Sequence, residues 1–192
     1  MSTSRLPLAI AVAVLSAASV AAPVANATQV MHLDTRGLTR ESSDIVIGTV
    51  GVQQAHWNDA HTMIVTDVTI QVSQSLKGAA TTELKLTQIG GEVDGMRYSV
   101  PGTPTFRTGE EVLVFAWRDR TGRPQVDGLA QGKFEIDRDP ASGARVVQRA
   151  VPGLAIRDAK NLEAVPVGRR APRLKLDALV REIQGALQED GR

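Results

Sequence analysis

The chain has 192 residues, 22 basic and 21 acidic, with 42% apolar side chains and no cysteine. That length holds one domain with room for an appendage, and the composition excludes wholesale disorder and fibrous repeats. A net charge of +1 argues against a dedicated nucleic-acid binder, and the missing thiols exclude disulfide staples, thiolate zinc sites and a cysteine nucleophile.

Residues 1–27 read as a secretory signal peptide. Arg5 is the positive n-region, residues 6–20 are almost wholly apolar, and Ala25-Asn26-Ala27 is an A-x-A cleavage site. The apolar run is short for a spanning helix and has no second copy downstream. The expectation is an exported chain starting at Thr28, periplasmic or extracellular, with no membrane span after cleavage. Its charge is asymmetric. Residues 28–137 carry 10 basic and 14 acidic groups, and residues 138–192 carry 11 and 7. Four of the seven residues from 169 to 175 are basic. The simpler reading is a tail packed near an acidic body; the alternative is a basic tail aimed at an anionic surface.

Residues 28–43 read as a polar leader ending in a short helical turn over 39–44. The β-branched run 45–52 predicts a strand, and Gly48 and Gly51 inside it predict a bend or bulge. Residues 57–61 form a turn. Ile64, Val68, Ile70 and Val72 alternate with Asp67, Thr69 and Gln71, which predicts a strand with one buried and one wet face. A third strand follows at 84–89. The Gly-rich 90–95 segment interrupts, a brief strand is placed at 97–100, and a long connection runs to Gly109. Residues 111–117 predict a strand, and its run 112–117, apolar on both faces, makes it central. Shorter strands follow at 125–130, 133–137 and 144–148. A Pro-containing connector spans 151–173. Leu176, Leu179, Val180, Ile183 and Leu187 then form one apolar stripe, which predicts an amphipathic helix over 174–190 docked on the sheet. The expected fold is mainly β: a small five- to six-stranded antiparallel OB-like barrel over 44–150 with that C-terminal helix.

The motif order is familiar. Ser43-Asp44-Ile45-Val46-Ile47-Gly48-Thr49-Val50 comes first, then 68–76 ending in Leu76-Lys77-Gly78. Next come Thr108-Gly109-Glu110-Glu111-Val112-Leu113-Val114-Phe115 and Gly128-Leu129-Ala130-Gln131-Gly132-Lys133-Phe134. Over residues 38–137 this resembles the secreted bacterial domains of the netrin-like and tissue-inhibitor-of-metalloproteinases group. The resemblance implies a five-stranded OB-type barrel. The inhibitors chelate a protease zinc through an N-terminal cysteine, and this chain has none.

The sequence nominates few chemical groups. His56 and His61 flank a turn, and with Asp59 or Asp67 they form a weak candidate metal site. Glu92 and Asp94 lie among glycines but supply too few oxygens for a calcium loop. Glu92 is placed to pair with Arg97 or Arg107. No Gly-x-Ser-x-Gly elbow surrounds a serine, and Glu110 and Glu111 point to opposite faces of a strand. The expectation is a non-enzymatic module with no catalytic residue and no cofactor, which binds another exported protein and not nucleic acid. Its binding residues are expected in the long connection: Glu92, Asp94, Arg97, Tyr98 and Phe106. The alternatives are a metal- or small-ligand-binding protein and an enzyme.

Overall fold

The computed structural model describes residues 28–151, 154–158, 160–164 and 173–191. The signal-peptide reading and Arg169 and Arg170 of the basic segment lie outside the described residues.

The leader is ordered structure. Strand β1 (Thr28–Met31) precedes helix α1 (Thr35–Glu41). The helix begins four residues earlier than the sequence reading places it because Asp34 is its N-cap, accepting the Gly37 N–H at 2.7 Å. Strands β2 (Asp44–Trp57) and β3 (Ile64–Lys77) form a long hairpin, followed by β4 (Glu83–Ile89). A small hairpin, β5 (Gly91–Val93) and β6 (Met96–Tyr98), stands where the sequence shows an interruption. After the long connection come β7 (Glu111–Arg118), β8 (Pro124–Val126), a 3-10 turn (Leu129–Gly132), β9 (Lys133–Arg138) and β10 (Arg145–Arg149). Strands β11 (Leu154–Arg157) and β12 (Leu174–Lys175) lead into helix α2 (Leu176–Asp190).

The protein is mainly β, with an antiparallel main sheet and a C-terminal helix. The sheet runs β12-β10-β9-β7-β2-β3-β4, and β8 pairs the far end of β7. It therefore holds eight strands, more than the five or six expected, because β9, β10 and β12 extend it beyond the curled part. That part is β8-β7-β2-β3-β4. Its two outer strands, β4 and β8, pack side by side, and no ladder joins them among the described residues. Two short sheets complete the fold: β1 with β11 in parallel, and β5 with β6.

Two apolar layers explain the curl. Val46, Val50, Val68, Ile70, Leu84, Leu86, Val112, Val114 and Val126 fill the inside. Ile45, Ile47, Leu113, Phe115 and Phe134 point the other way, onto Leu38 of α1 and Leu176, Leu179 and Ile183 of α2. Strands β2 and β7 are thus buried on both faces; for β7 the apolar run at 112–117 predicts this, except that Trp117 at its end is exposed, beyond the cover of the helices. Each such side chain contributes about 1.5–3 kcal/mol through burial.

Register shifts in the β2–β3 ladder let it bend, one of them between Ile47 and Gly48. A Cβ at Gly48 would lie 2.3 Å from the Gln71 carbonyl oxygen and 2.7 Å from Ile70 Cγ2. Rigid backbone forms that contact, so it cannot relax cheaply. Gly48→Ala is expected to cost about 1–3 kcal/mol, read as a lower denaturation midpoint at unchanged slope. An unchanged midpoint would remove the close approach as the reason for glycine.

Candidate functional site

The site is the mouth of the curled sheet. Its inner face is layered by the β3–β4 register. Ile70 faces Leu84, Val68 faces Leu86, and Thr66 faces Gln88. The first two layers are apolar and buried. The third is polar, and it floors a cavity of about 300 Å³. The wall opposite is the connection 99–110, with Val100, Thr103, Pro104 and Phe106 against the cavity.

Lys133 holds that wall in place. Its side chain is only 6% exposed. The ammonium donates to the Thr105 carbonyl at 2.5 Å and to Glu110 Oε1 at 2.6 Å, and it lies 4.7 Å from the centre of the Phe106 ring. Glu110 Oε1 also accepts the Arg107 N–H at 2.9 Å, and the Arg107 guanidinium approaches Oε2 at 3.4 Å. A buried charge is tolerable only when paired and hydrogen-bonded, and here both hydrogen-bond acceptors belong to the connection or its border with β7, while Glu135 on β9 lies 3.8 Å away. The sequence reading missed this residue.

The β5–β6 hairpin forms the rim. Asp94 and Gly95 take φ of 51° and 75°, the left-handed pair that a two-residue type I′ turn requires. Asp94 therefore serves the turn. Glu92 and Arg97 face each other across the strands, with an ion pair of 3.0 Å on exposed side chains. Pairing with Arg97 is one of the two alternatives in the sequence. Gly91 packs β5 against Thr66, Ala55 and Ile64, where a Cβ would meet Thr66 Oγ1 at 2.6 Å. Met96 and Tyr98 on β6 are 52% and 41% exposed. Tyr98 divides the rim. One side borders the polar cavity; the other borders a second hollow of about 290 Å³ beside Trp57, Met63, Ile64 and Met96. Among the expected binding residues, Tyr98 and Phe106 meet at one cavity, Glu92 and Arg97 pair beside it, and Asp94 stands at the hairpin tip.

The two histidines take different partners. His61 stacks on Trp57, with ring centres 6.0 Å apart. His56 contacts the Trp57 carbonyl through Nδ1 at 2.8 Å and Asp67 Oδ2 through Nε2 at 3.2 Å. Among the described residues no group of three or more histidine or carboxylate side chains is placed to hold a metal. Asp67 also accepts from Lys85 at 2.8 Å and Thr87 at 2.9 Å. Burial raises its carboxyl pKa, but the bonds from Lys85, Thr87 and His56 outweigh that and hold it below the ordinary value of 3.8. Among the described residues no hydroxyl hydrogen-bonds to a histidine, and no helix is long and apolar enough to cross a membrane. No protein-family model, curated protein or solved structure matches the chain.

Two outcomes follow. Lys133→Met leaves the buried Glu110 with only the Arg107 N–H and the longer contact to the Arg107 guanidinium, so it is expected to cost about 3 kcal/mol. Lys133→Met with Glu110→Gln should recover part of that loss in a double-mutant cycle by denaturant titration; additive losses would dissolve the pair. For Asp67 the lowered carboxyl stabilises the fold fully above the ordinary value, and this is lost as pH falls through the lowered one. Asp67→Asn should therefore be less stable near neutrality and show a shallower acid loss, checked by melts across an acid series.

Proposed function

We propose that the chain is an exported, non-enzymatic interaction module that takes an extended segment of another exported protein along the outer edge of β6. The observation that carries this reading is the main chain of Arg97. A two-residue turn makes Val93 and Met96 a hydrogen-bonded pair, so the next pair, Glu92 and Arg97, is not hydrogen-bonded. The Arg97 N–H and C=O then point away from β5. Among the described residues no hydrogen bond reaches them. Strand β5 packs on β2 and β3, which leaves β6 outermost, and all three of its residues are exposed. An extended partner adds to such an edge through main-chain bonds and gains specificity from alternate side chains.

The chemistry of the partner follows from the side chains. Residues opposite Met96 and Tyr98 share their face, beside Trp57 and Met63, and should be apolar. The residue opposite Arg97 should be acidic or neutral. A second copy fits poorly, because a two-fold pairing of β6 puts Arg97 against Arg97. The signal-peptide pattern supports an exported setting. The resemblance to the netrin-like group supports an OB-type scaffold, and zinc chelation by a cysteine does not carry over to a chain that has none.

The test is selection of extended peptides from a displayed random library on the purified chain. The expected consensus is apolar–acidic–apolar. Arg97→Pro removes the outward N–H without touching a β5–β6 bond and should abolish binding, and Met96→Ser should weaken it. Selected peptides that bind Arg97→Pro equally well would overturn the reading, as would a concentration-dependent dimer that Arg97→Pro dissociates.

A further inference from the structure

The strongest unexplained feature is a buried glutamine. In β4 the apolar alternation Leu84, Leu86 points inward, and the next inward position is Gln88 while Ile89 turns outward, 37% exposed. Gln88 is 7% exposed. Its amide makes one long bond, Nε2 to the neighbouring Thr87 carbonyl at 3.3 Å. Its Oε1 has no partner among the described residues, and it is not among the sealed-off polar atoms of the protein. The other buried glutamine behaves differently. Gln131 donates to the Met31 carbonyl at 2.9 Å and accepts the Leu33 N–H at 3.0 Å. Burying an amide without bonds costs stability, so an open one at a cavity needs a reason.

The cavity that Gln88 faces has a consistent chemistry. No charged side chain lines it among the described residues. Its polar side chains are all neutral: Gln53, Gln88, Thr66, Tyr98, Ser99 and Thr105, with Thr103 beside them but its hydroxyl sealed off. Val68, Ile89, Val100, Pro104 and Phe106 supply the apolar part. The nearest buried cation, Lys133, is neutralised by Glu110 behind the Phe106 ring. Thr66 already donates to the Gly90 carbonyl at 2.6 Å, so its hydroxyl is left as an acceptor. At about 300 Å³ the space lies at the small end of ligand sites.

We propose that this cavity is a binding site for a small neutral saccharide. One ligand hydroxyl accepts from the free Gln88 N–H, a second donates to Gln88 Oε1, and the apolar face of the sugar ring packs on Phe106 and Tyr98. Charged ligands are excluded because the site would desolvate them without a counter-charge. This goes beyond the edge-binding reading, since it uses the opposite side of Tyr98 and no atom of Arg97.

The experiment follows side-chain and backbone amide signals of the purified chain by NMR. The neutral probes are N-acetylglucosamine and methyl glucoside; glucosamine and glucuronate are their charged counterparts. Saturable shifts are expected at Gln88 and Thr66 with the neutral sugars, and binding weaker by about tenfold or more with the charged ones. Gln88→Leu should abolish the shifts at Phe106 and keep or raise Tm, because it replaces an underbonded buried amide with an apolar group. Arg97→Pro should leave sugar binding intact, which separates this site from the β6 edge. The proposal is overturned if neither neutral sugar gives a saturable shift or if Gln88→Leu binds them unchanged. It is also overturned if Gln88→Leu lowers Tm without a change in binding, or if N-methylacetamide occupies the cavity while the sugars do not.

Discussion

One buried ammonium fixes the geometry of the whole mouth. Lys133 sits inside the protein, where its charge costs several kcal/mol unless it is paired. It finds a carbonyl, an aromatic face and a carboxylate, all within residues 105–110. The connection must therefore lie where those three groups converge. A loop of this length without secondary structure would otherwise sample many positions. Anchored, it becomes a rigid wall, and a rigid wall opposite a sheet is what a cavity requires.

The sheet supplies the other wall because it is buried twice. Helices α1 and α2 cover one face, and the curl of β8-β7-β2-β3-β4 encloses the other. The close approach at Gly48 permits that curl. Along the curl the cross-strand layers change from Ile70–Leu84 to Val68–Leu86 to Thr66–Gln88. Polarity rises toward the mouth. The deep layers stabilise the fold, and the outermost layer is the polar one that borders the cavity.

The rim joins the two surfaces proposed for recognition. On one side of Tyr98 the β5–β6 hairpin offers an open backbone edge with exposed apolar side chains. On the other side the cavity offers neutral polar groups in a partly apolar hollow. Main-chain pairing suits an extended chain, and a small concave hollow suits a compact ligand. The His56–Asp67–Lys85 cluster lies apart from both, on the outer face of β2, β3 and β4, and its contacts tie those strands together.

Much of the fold was legible because local periodicity reports orientation. The alternation of Ile64, Val68 and Ile70, the stripe of α2 and the bend at Gly48 appear in the structure as read, and the two-faced run at 112–117 does so up to Ala116. The Asp94-Gly95 turn was also written in the sequence, although the surrounding glycines disguised it as an interruption. The candidate site was legible only in part. Tyr98 and Phe106 stood out as aromatics among prolines and glycines, whereas Lys133 reads as an ordinary polar position in an alternating strand. Gln88 likewise reads as the frayed end of β4. A period says which way a side chain points relative to its own sheet. It does not say which distant segment covers that face. The sequence by itself determined the long strands β2, β3, β4 and β7 and the helix stripe, because those depend on neighbours within a few residues, whereas it placed a strand at 125–130 where β8 stops at Val126 and a 3-10 turn follows. Only the tertiary structure decided that Lys133 is buried, that Gln88 opens onto a cavity and that His56 meets Asp67, because burial is set by what the rest of the chain lays on top.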